Sequence, residues 1–135
     1  MNTQRPTHLL ALDQGTSSSR SIVFDARGGI VGEAAVDFIR QFRVDIGLIG
    51  ISGIEADGTL RDFDVREVKV ARAILEHSRE VWVATDHSKF NRPAMVEMAR
   101  FDQIEMLFTD AQPPEPFPTL LAQANVTLVN CDEPS

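Results

Sequence analysis

The chain is expected to fold as an α/β protein, with a mostly parallel, Rossmann-like sheet and helices on both faces. Three observations predict this. Val44–Ile51 is β-branched and nearly all apolar, as in a strand buried on both faces, and such strands belong to parallel sheets. From Gly32 onward helical and extended patterns alternate, the order of an open sheet covered by helices. The strand-like runs stop at polar loops after Ile51, Ala84 and Thr109. In such a sheet those loops share the carboxyl edge, where ligands bind.

The elements follow in order. Leu9–Leu12 is a short apolar run ending at Asp13-Gln14-Gly15, and Ser21–Phe24 is a second strand closed by the turn cluster 25–29. Over Gly32–Phe42 the period changes, with Ala35, Phe38, Ile39 and Phe42 at helical spacing. After the strand Val44–Ile51, the segment Ser52–Gly58 reads as a loop with two glycines. Val65–Ser78 reads as a helix with Val65, Val68, Ala71, Ile74 and Leu75 on one side. Asp64 is its expected N-cap, and Glu67 completes a capping box in form. Val81–Ala84 and Met106–Thr109 are strands, with a short helical turn between them. Pro113, Pro114, Pro116 and Pro118 punctuate a loop, Pro118–Asn125 is a short helix and Val126–Val129 the last strand.

The bulk numbers exclude several classes. The 135 residues suffice for one core, and 43% hydrophobic with 24% charged residues is ordinary for a globular chain. A net charge of −7 argues against gripping a nucleic-acid backbone. From Asp102 to the end there are six acids and no Lys or Arg, a run that reads as a solvated face. Cys131 is the single cysteine, so no internal disulfide forms, and no cation nearby in sequence activates it. No run approaches the roughly 20 apolar residues that cross a bilayer. No leader is evident, so the expected compartment is cytoplasmic.

Four clusters carry candidate chemistry. Asp13–Ser19 follows a strand; its glycine admits backbone amides to an anion and its hydroxyls add donors, although Gly and Ser also make a plain hairpin turn. Arg66, Lys69 and Arg72 recur by three on one helix face. Arg66 and Lys69 sit in the first turns, where the helix dipole favours anions, so either an anion or pairing with Asp62, Asp64 or Glu67 explains them. Asp86-His87-Ser88-Lys89 follows a buried strand: Lys89 reaches toward a phosphate and Asp86 toward a hydroxyl, or the four form a polar turn. His87 is placed to titrate near neutrality, whereas His8 and His77 are expected to face solvent. Asp57-Gly58-Thr59 is a bare turn or a substrate contact. No His or Cys pair stands at metal-ligand spacing, and neither a Walker loop nor a dinucleotide fingerprint is present, so no metal and no cofactor are expected.

Two resemblances divide the chain. The stretches "VGEAAVDFIRQFRVDIGLIGISGIEADGTLRDFDVREVKVARAI", "ATDHSKFNRPA" and "LFTD" resemble the C-terminal effector domain of DeoR-family bacterial repressors, in particular those of the glycerol-3-phosphate regulon. The front, "LLALDQGTSSSRSIVFDARGGIV", resembles the opening strands of glycerol kinase and its sugar-kinase relatives, where the Asp-Gln-Gly-Thr loop approaches the nucleotide phosphates. The two meet at Gly28–Val31. The implied organisation is a fusion: a kinase-like strand-loop-strand segment over residues 1–31, and a truncated effector domain over 32–135 without the family's winged helix-turn-helix. Effector domains of this family open with a strand and loop of the form Leu-Asp-x-Gly-Thr-Thr. Here Leu12-Asp13-Gln14-Gly15-Thr16-Ser17 supplies nearly the same string.

The resemblance also implies a function. Effector domains of this family resemble ribose-5-phosphate isomerase and glucosamine-6-phosphate deaminase in fold. The deaminases carry a catalytic histidine in a Gly-x-Asp-Gly-His segment, where this chain has Asp57-Gly58-Thr59, and Thr59 cannot serve as a base near neutral pH. Arg66-Glu67-Val68-Lys69 and Asp86-His87-Ser88-Lys89 echo the isomerases' anion-binding segments. The expectation is a sensor without enzymatic activity, binding a phosphorylated sugar or sn-glycerol 3-phosphate. Gly15, Thr16, Ser17, Arg66, Lys69 and Lys89 are expected around the phosphate. Asp13, Asp57 and Asp86 take hydroxyls, and Gly53 permits close approach. Family members assemble through this domain, so a homo-oligomer is expected, with no membrane and no nucleic acid bound directly. The alternative is a fusion product without function, one that only co-assembles with an intact repressor, or a kinase remnant.

Overall fold

The computed structural model describes residues 8–14, 19–25, 30–34 and 36–132. The principal sheet has seven strands: β1 (His8–Gln14), β2 (Ser19–Asp25), β3 (Ile30–Ala34), β4 (Val44–Gly50), β7 (Ser78–Ala84), β9 (Met106–Thr109) and β10 (Thr127–Asn130). Their order is β10-β9-β7-β4-β1-β2-β3. β1, β4, β7, β9 and β10 are parallel, while β2 and β3 add antiparallel. The sheet is thus mostly parallel, as its apolar strands predict. The front segment joins it directly: Leu9, Leu10 and Ala11 pair with Ile46, Gly47 and Leu48.

The two faces of the sheet differ. Ile49, Val81, Val83, Leu107 and Thr109 alternate onto one face and are at most 3% exposed. Helix α2 (Val65–Glu76) lies on that face above Gly47, where a methyl group would come within 2.7 Å of Ile74 Cγ2. Helices α1 (Val36–Ile39) and α3 (Phe117–Gln123) add Ile39, Phe117 and Leu121 to the same core cluster. On the opposite face Leu48, Trp82, Met106 and Phe108 are half-buried, with the Trp82 and Phe108 rings 5.4 Å apart.

Three departures from the sequence reading have physical causes. First, a second sheet of three antiparallel strands stands where no strand was expected: β5 (Gly53–Ile54), β6 (Thr59–Asp62) and β8 (Val96–Arg100), in the order β5-β6-β8. β5 is too short to show a period. A bulge between Leu60 and Arg61 shifts the register opposite β8, so Met98 and Ala99 are both buried and the alternation is lost. Second, Gly32–Phe42 is not one helix. Ile30–Ala34 pairs with β2, and only the four residues of α1 are helical, although the Phe38 and Phe42 rings still meet at 4.9 Å. Third, Val65 does not join the apolar side of α2: it is 54% exposed at the first turn.

The remaining boundaries move by one to three residues. α2 ends at Glu76, where the His77 backbone N–H donates to Ala73 O and Ile74 O. His77 is half-buried rather than solvent-facing, with Nδ1 3.2 Å from Phe42 O. Asn125, at φ 60°, turns the chain out of α3 into β10.

Candidate functional site

The carboxyl ends of β1, β4, β7 and β9 lie along one edge of the sheet because these strands are parallel. Only His77 separates α2 from β7, so the helix runs antiparallel to the strands and its first turn returns to that edge. The edge therefore gathers the end of β1, the segment after β4, the loops after β7 and β9, and the start of α2.

The loop after β7 is the most built part. Asp86 caps a short 3-10 turn, His87–Lys89. Its Oδ1 accepts from Ser88 N at 2.8 Å and from the Ser88 hydroxyl, and its Oδ2 lies 4.0 Å from Lys89 Nζ. The Ser88 hydroxyl holds the Asp86 carboxyl below its ordinary range, with the Ser88 N–H and Lys89 adding to the effect. Lys89 is half-buried. Beyond it Phe90 is 7% exposed, packs its ring 5.0 Å from that of Phe117 and forms a parallel bridge with Ile54. Asn91 N donates to Ile54 O at 2.8 Å. These contacts bind the loop to β5.

Gly53 has its own role there. A methyl group at this position would overlap the Arg92 carbonyl oxygen. The close approach that requires glycine is thus with the chain's own backbone.

The turn after β5 is a closed network. Gly58 N donates to Glu55 O at 2.9 Å, and Gly58 has φ +84°, where glycine is unstrained. Asp57 Oδ1 accepts from Thr59 N at 3.0 Å and from Thr59 Oγ1 at 2.6 Å. The Thr59 hydroxyl holds the Asp57 carboxyl below its ordinary range, with Arg61 adding to this. Arg61 Nε donates to Thr59 Oγ1 at 2.8 Å and lies 2.6 Å from Glu55 Oε2. Asp57 Oδ1 is engaged by Thr59, while Oδ2 lies 3.9 Å from Arg61 Nη2 on an exposed residue.

At the start of α2, Asp64 Oδ1 accepts from Arg66 N at 2.8 Å as the expected N-cap. The exposed Arg66 guanidinium folds back onto Asp64 at 3.3 Å, so the local pairing weighed for it is realised. The Arg66 N–H and guanidinium hold the Asp64 carboxyl below its ordinary range. Lys69 is exposed one turn on, and no ion pair engages it among the described residues. Arg72 faces elsewhere, donating to Glu97 O at 2.6 Å on β8. It lines an open groove of about 570 Å³ between α2 and β8 that contains none of the expected site residues.

The structure thus brings Gly53, Asp86 and Lys89 into one tied unit with the Asp57 hairpin on the same small sheet. It leaves Arg66 paired and Lys69 on α2. Asp13 lies in β1, two residues beyond the Ala11–Leu48 pairing and toward the shared edge. Gly15, Thr16 and Ser17 lie outside the described residues. Two contributors escaped the sequence reading. Arg61 is signalled by the i, i+2 spacing of Glu55, Asp57, Thr59 and Arg61 through a hairpin. Asp110 follows β9 as Asp86 nearly follows β7. No group of three or more metal-ligating side chains occurs among the described residues, and no described helix is long and apolar enough to cross a membrane.

Comparison with known proteins extends this picture. The family described as the DeoR C terminal sensor domain matches residues 21–111. The glycerol-3-phosphate regulon repressors of Escherichia coli (strain K12) and Haemophilus influenzae (strain ATCC 51907 / DSM 11121 / KW20 / Rd) are each 49% identical, over 104 and 105 residues. These alignments cover 77% and 78% of this chain and 41% of each repressor. The chain therefore spans about two fifths of the length of these curated relatives. A glycerol kinase of Acidovorax sp. (strain JS42) is 74% identical over 31 residues, 23% of this chain and 6% of the kinase. The two sets of matches support a fusion of a kinase-like segment with a repressor sensor domain.

Proposed function

The chain belongs to the DeoR C-terminal sensor domain family, and on that premise we propose that it binds a phosphorylated small molecule, sn-glycerol 3-phosphate first. Its relatives over this region are transcriptional repressors, not enzymes. The observation that carries the reading is the loop after β7: a half-buried Lys89 and a carboxylate held ionised, tied to β5 at the sheet edge where parallel α/β folds take ligands.

In this reading Lys89 and Lys69 engage the phosphate. Lys69 supports that role by being exposed without an ion pair among the described residues, whereas Arg66 contributes only after leaving Asp64. Asp86 and Asp57 accept from ligand hydroxyls through their Oδ2 atoms. Asp13 likewise takes a hydroxyl, and the hydroxyl-bearing string Gly15-Thr16-Ser17 completes the phosphate side. The functional units are residues 1–31, a borrowed strand-loop-strand, and 32–135, the sensor proper. The domain assembles as a homo-oligomer, and in a full-length repressor ligand binding shifts the balance between DNA-competent and free states.

The test is thermal shift and calorimetry with sn-glycerol 3-phosphate in low-phosphate buffer. A hundredfold excess over Kd stabilises by roughly 2.7 kcal/mol. Lys89→Ala and Lys69→Ala are each expected to abolish the shift while leaving the unliganded melting point unchanged. No shift at millimolar ligand refutes the reading.

A further inference from the structure

Asp110 is the first residue after β9, and both of its carboxylate oxygens are spent on a different loop. Oδ1 accepts the backbone N–H of His87 at 2.8 Å, and Oδ2 lies 2.9 Å from His87 Nδ1. The β7–β9 pairing reaches Ala84 and Phe108, and Thr85 N donates to Phe108 O at 2.9 Å. There the β7–β9 backbone ladder ends, and Asp110 takes over two residues further along each segment. The turn His87–Lys89 is otherwise held from the other side, through Phe90 and Asn91 on Ile54.

We infer that Asp110 is a positioning residue for ligand recognition: by pinning the His87 backbone it fixes the direction in which the neighbouring Asp86 and Lys89 point into the candidate site. The inference rests on the reading of that loop as part of a phosphate-ligand site. The charged groups around His87 are Asp110, from the end of β9, and Asp86 and Lys89 of its own turn. The two halves of the clamp respond differently to pH. The backbone half needs only the Asp110 carboxylate. The imidazole half gains charge assistance when His87 is protonated.

The test compares wild type, Asp110→Ala and Asp110→Asn. In unliganded protein, amide hydrogen exchange at His87 reads the clamp without reference to ligand. Asp110→Ala is expected to speed exchange at His87 by about tenfold or more, because the amide loses its acceptor. Asp110→Asn keeps an acceptor oxygen and is expected to rescue protection. Titration with sn-glycerol 3-phosphate at pH 6 and pH 8 reads the consequence. Asp110→Ala weakens affinity about fivefold to tenfold, the size expected when one charge-assisted hydrogen bond is lost at a partly exposed site. Asp110→Asn stays near wild type at pH 8 and falls behind it at pH 6. Unaltered His87 exchange in Asp110→Ala overturns the clamp whatever the ligand does. Faster exchange with unaltered affinity, in a wild type that binds, overturns the role in recognition. A wild type that binds nothing refutes the functional reading itself, and the positioning role with it, even where the exchange data still show the contact.

Discussion

Gly53→Ala tests whether the candidate site is held together as described. A methyl group on Gly53 overlaps the Arg92 carbonyl oxygen and comes within 3.1 Å of its carbonyl carbon and 3.6 Å of its Cβ. The obstacle is backbone, so no rotamer change relieves it, and the segment 90–92 must retreat from β5. That retreat stretches the bond from Asn91 N to Ile54 O and opens the bridge between Ile54 and Phe90. One lost hydrogen bond costs about 1 kcal/mol, and overpacking a tight contact costs about 1–3 kcal/mol. The expected loss is therefore about 2–4 kcal/mol, a large share of the ~5–15 kcal/mol of a typical domain. Gly50→Ala is the control. Gly50 lies three residues away on β4, and its methyl would meet nothing within 4 Å. Glycine within a strand costs about 0.5–1 kcal/mol relative to alanine, so this substitution is expected to be neutral or stabilising. Urea denaturation of both variants measures the difference, provided the slopes match wild type. A Gly53→Ala protein within about 0.5 kcal/mol of wild type, the usual range of inconsequential surface changes, refutes the packing argument. So does a Gly50→Ala protein equally damaged.

Two further predictions follow from the same geometry. The hydrogen bond and charge of Asp110 raise the His87 pKa above its ordinary 6.5, and the same contact lowers that of Asp110 below 3.8. A raised histidine stabilises fully below 6.5, and that contribution is lost as pH climbs through the folded value. A depressed carboxylate stabilises above 3.8 and loses its contribution as pH falls through its folded value. The pair thus supports the fold most between these limits, and the stability difference between wild type and His87→Ala should be larger at pH 6 than at pH 9. A difference that is flat or grows toward pH 9 contradicts the assignment. Deleting residues 1–31 should lower both solubility and melting temperature, read by light scattering and a thermal scan, and unchanged values would show that β1 is not structural.

The parallel half of the sheet was legible because its strands are apolar on both faces, one face buried and the other half-buried. Val44–Ile51, Val81–Ala84 and Met106–Thr109 are continuous apolar runs ended by polar loops, and no competing pattern overlays them. The Asp64 cap was legible for a similar reason: a short acceptor side chain before an apolar-periodic run has one local use. The small antiparallel sheet was not legible. Its strands are short, one carries a bulge, and β6 finds its partner β8 more than 30 residues away, Thr59 with Arg100 for example. Val65 obeys helical spacing yet is exposed, because the first turn of α2 lies at the sheet edge, beyond the core. At the candidate site residue types were readable but engagements were not. Arg66 and Lys69 look alike in sequence. Only the fold shows that Arg66 returns to its own N-cap while Lys69 does not.

The junction between the two parts of the chain explains why a fusion of this kind can share one sheet. Strand pairing is made by backbone groups, which every residue but proline carries, so β4 accepts any strand with a compatible apolar pattern beside it. Leu9, Leu10 and Ala11 meet that condition opposite Ile46, Gly47 and Leu48. Without a neighbour there, β4 would become an exposed edge, with Ile46 and Leu48 beside a row of open N–H and C=O groups, a surface prone to pair with another chain. β1 closes that edge and, being parallel to β4, carries Asp13 and Gln14 to the same end of the sheet as Gly50 and Ala84. A segment of kinase-like sequence thereby reaches the edge at which a sensor domain of this family would hold its ligand, because parallel pairing leaves its carboxyl end no other edge to reach.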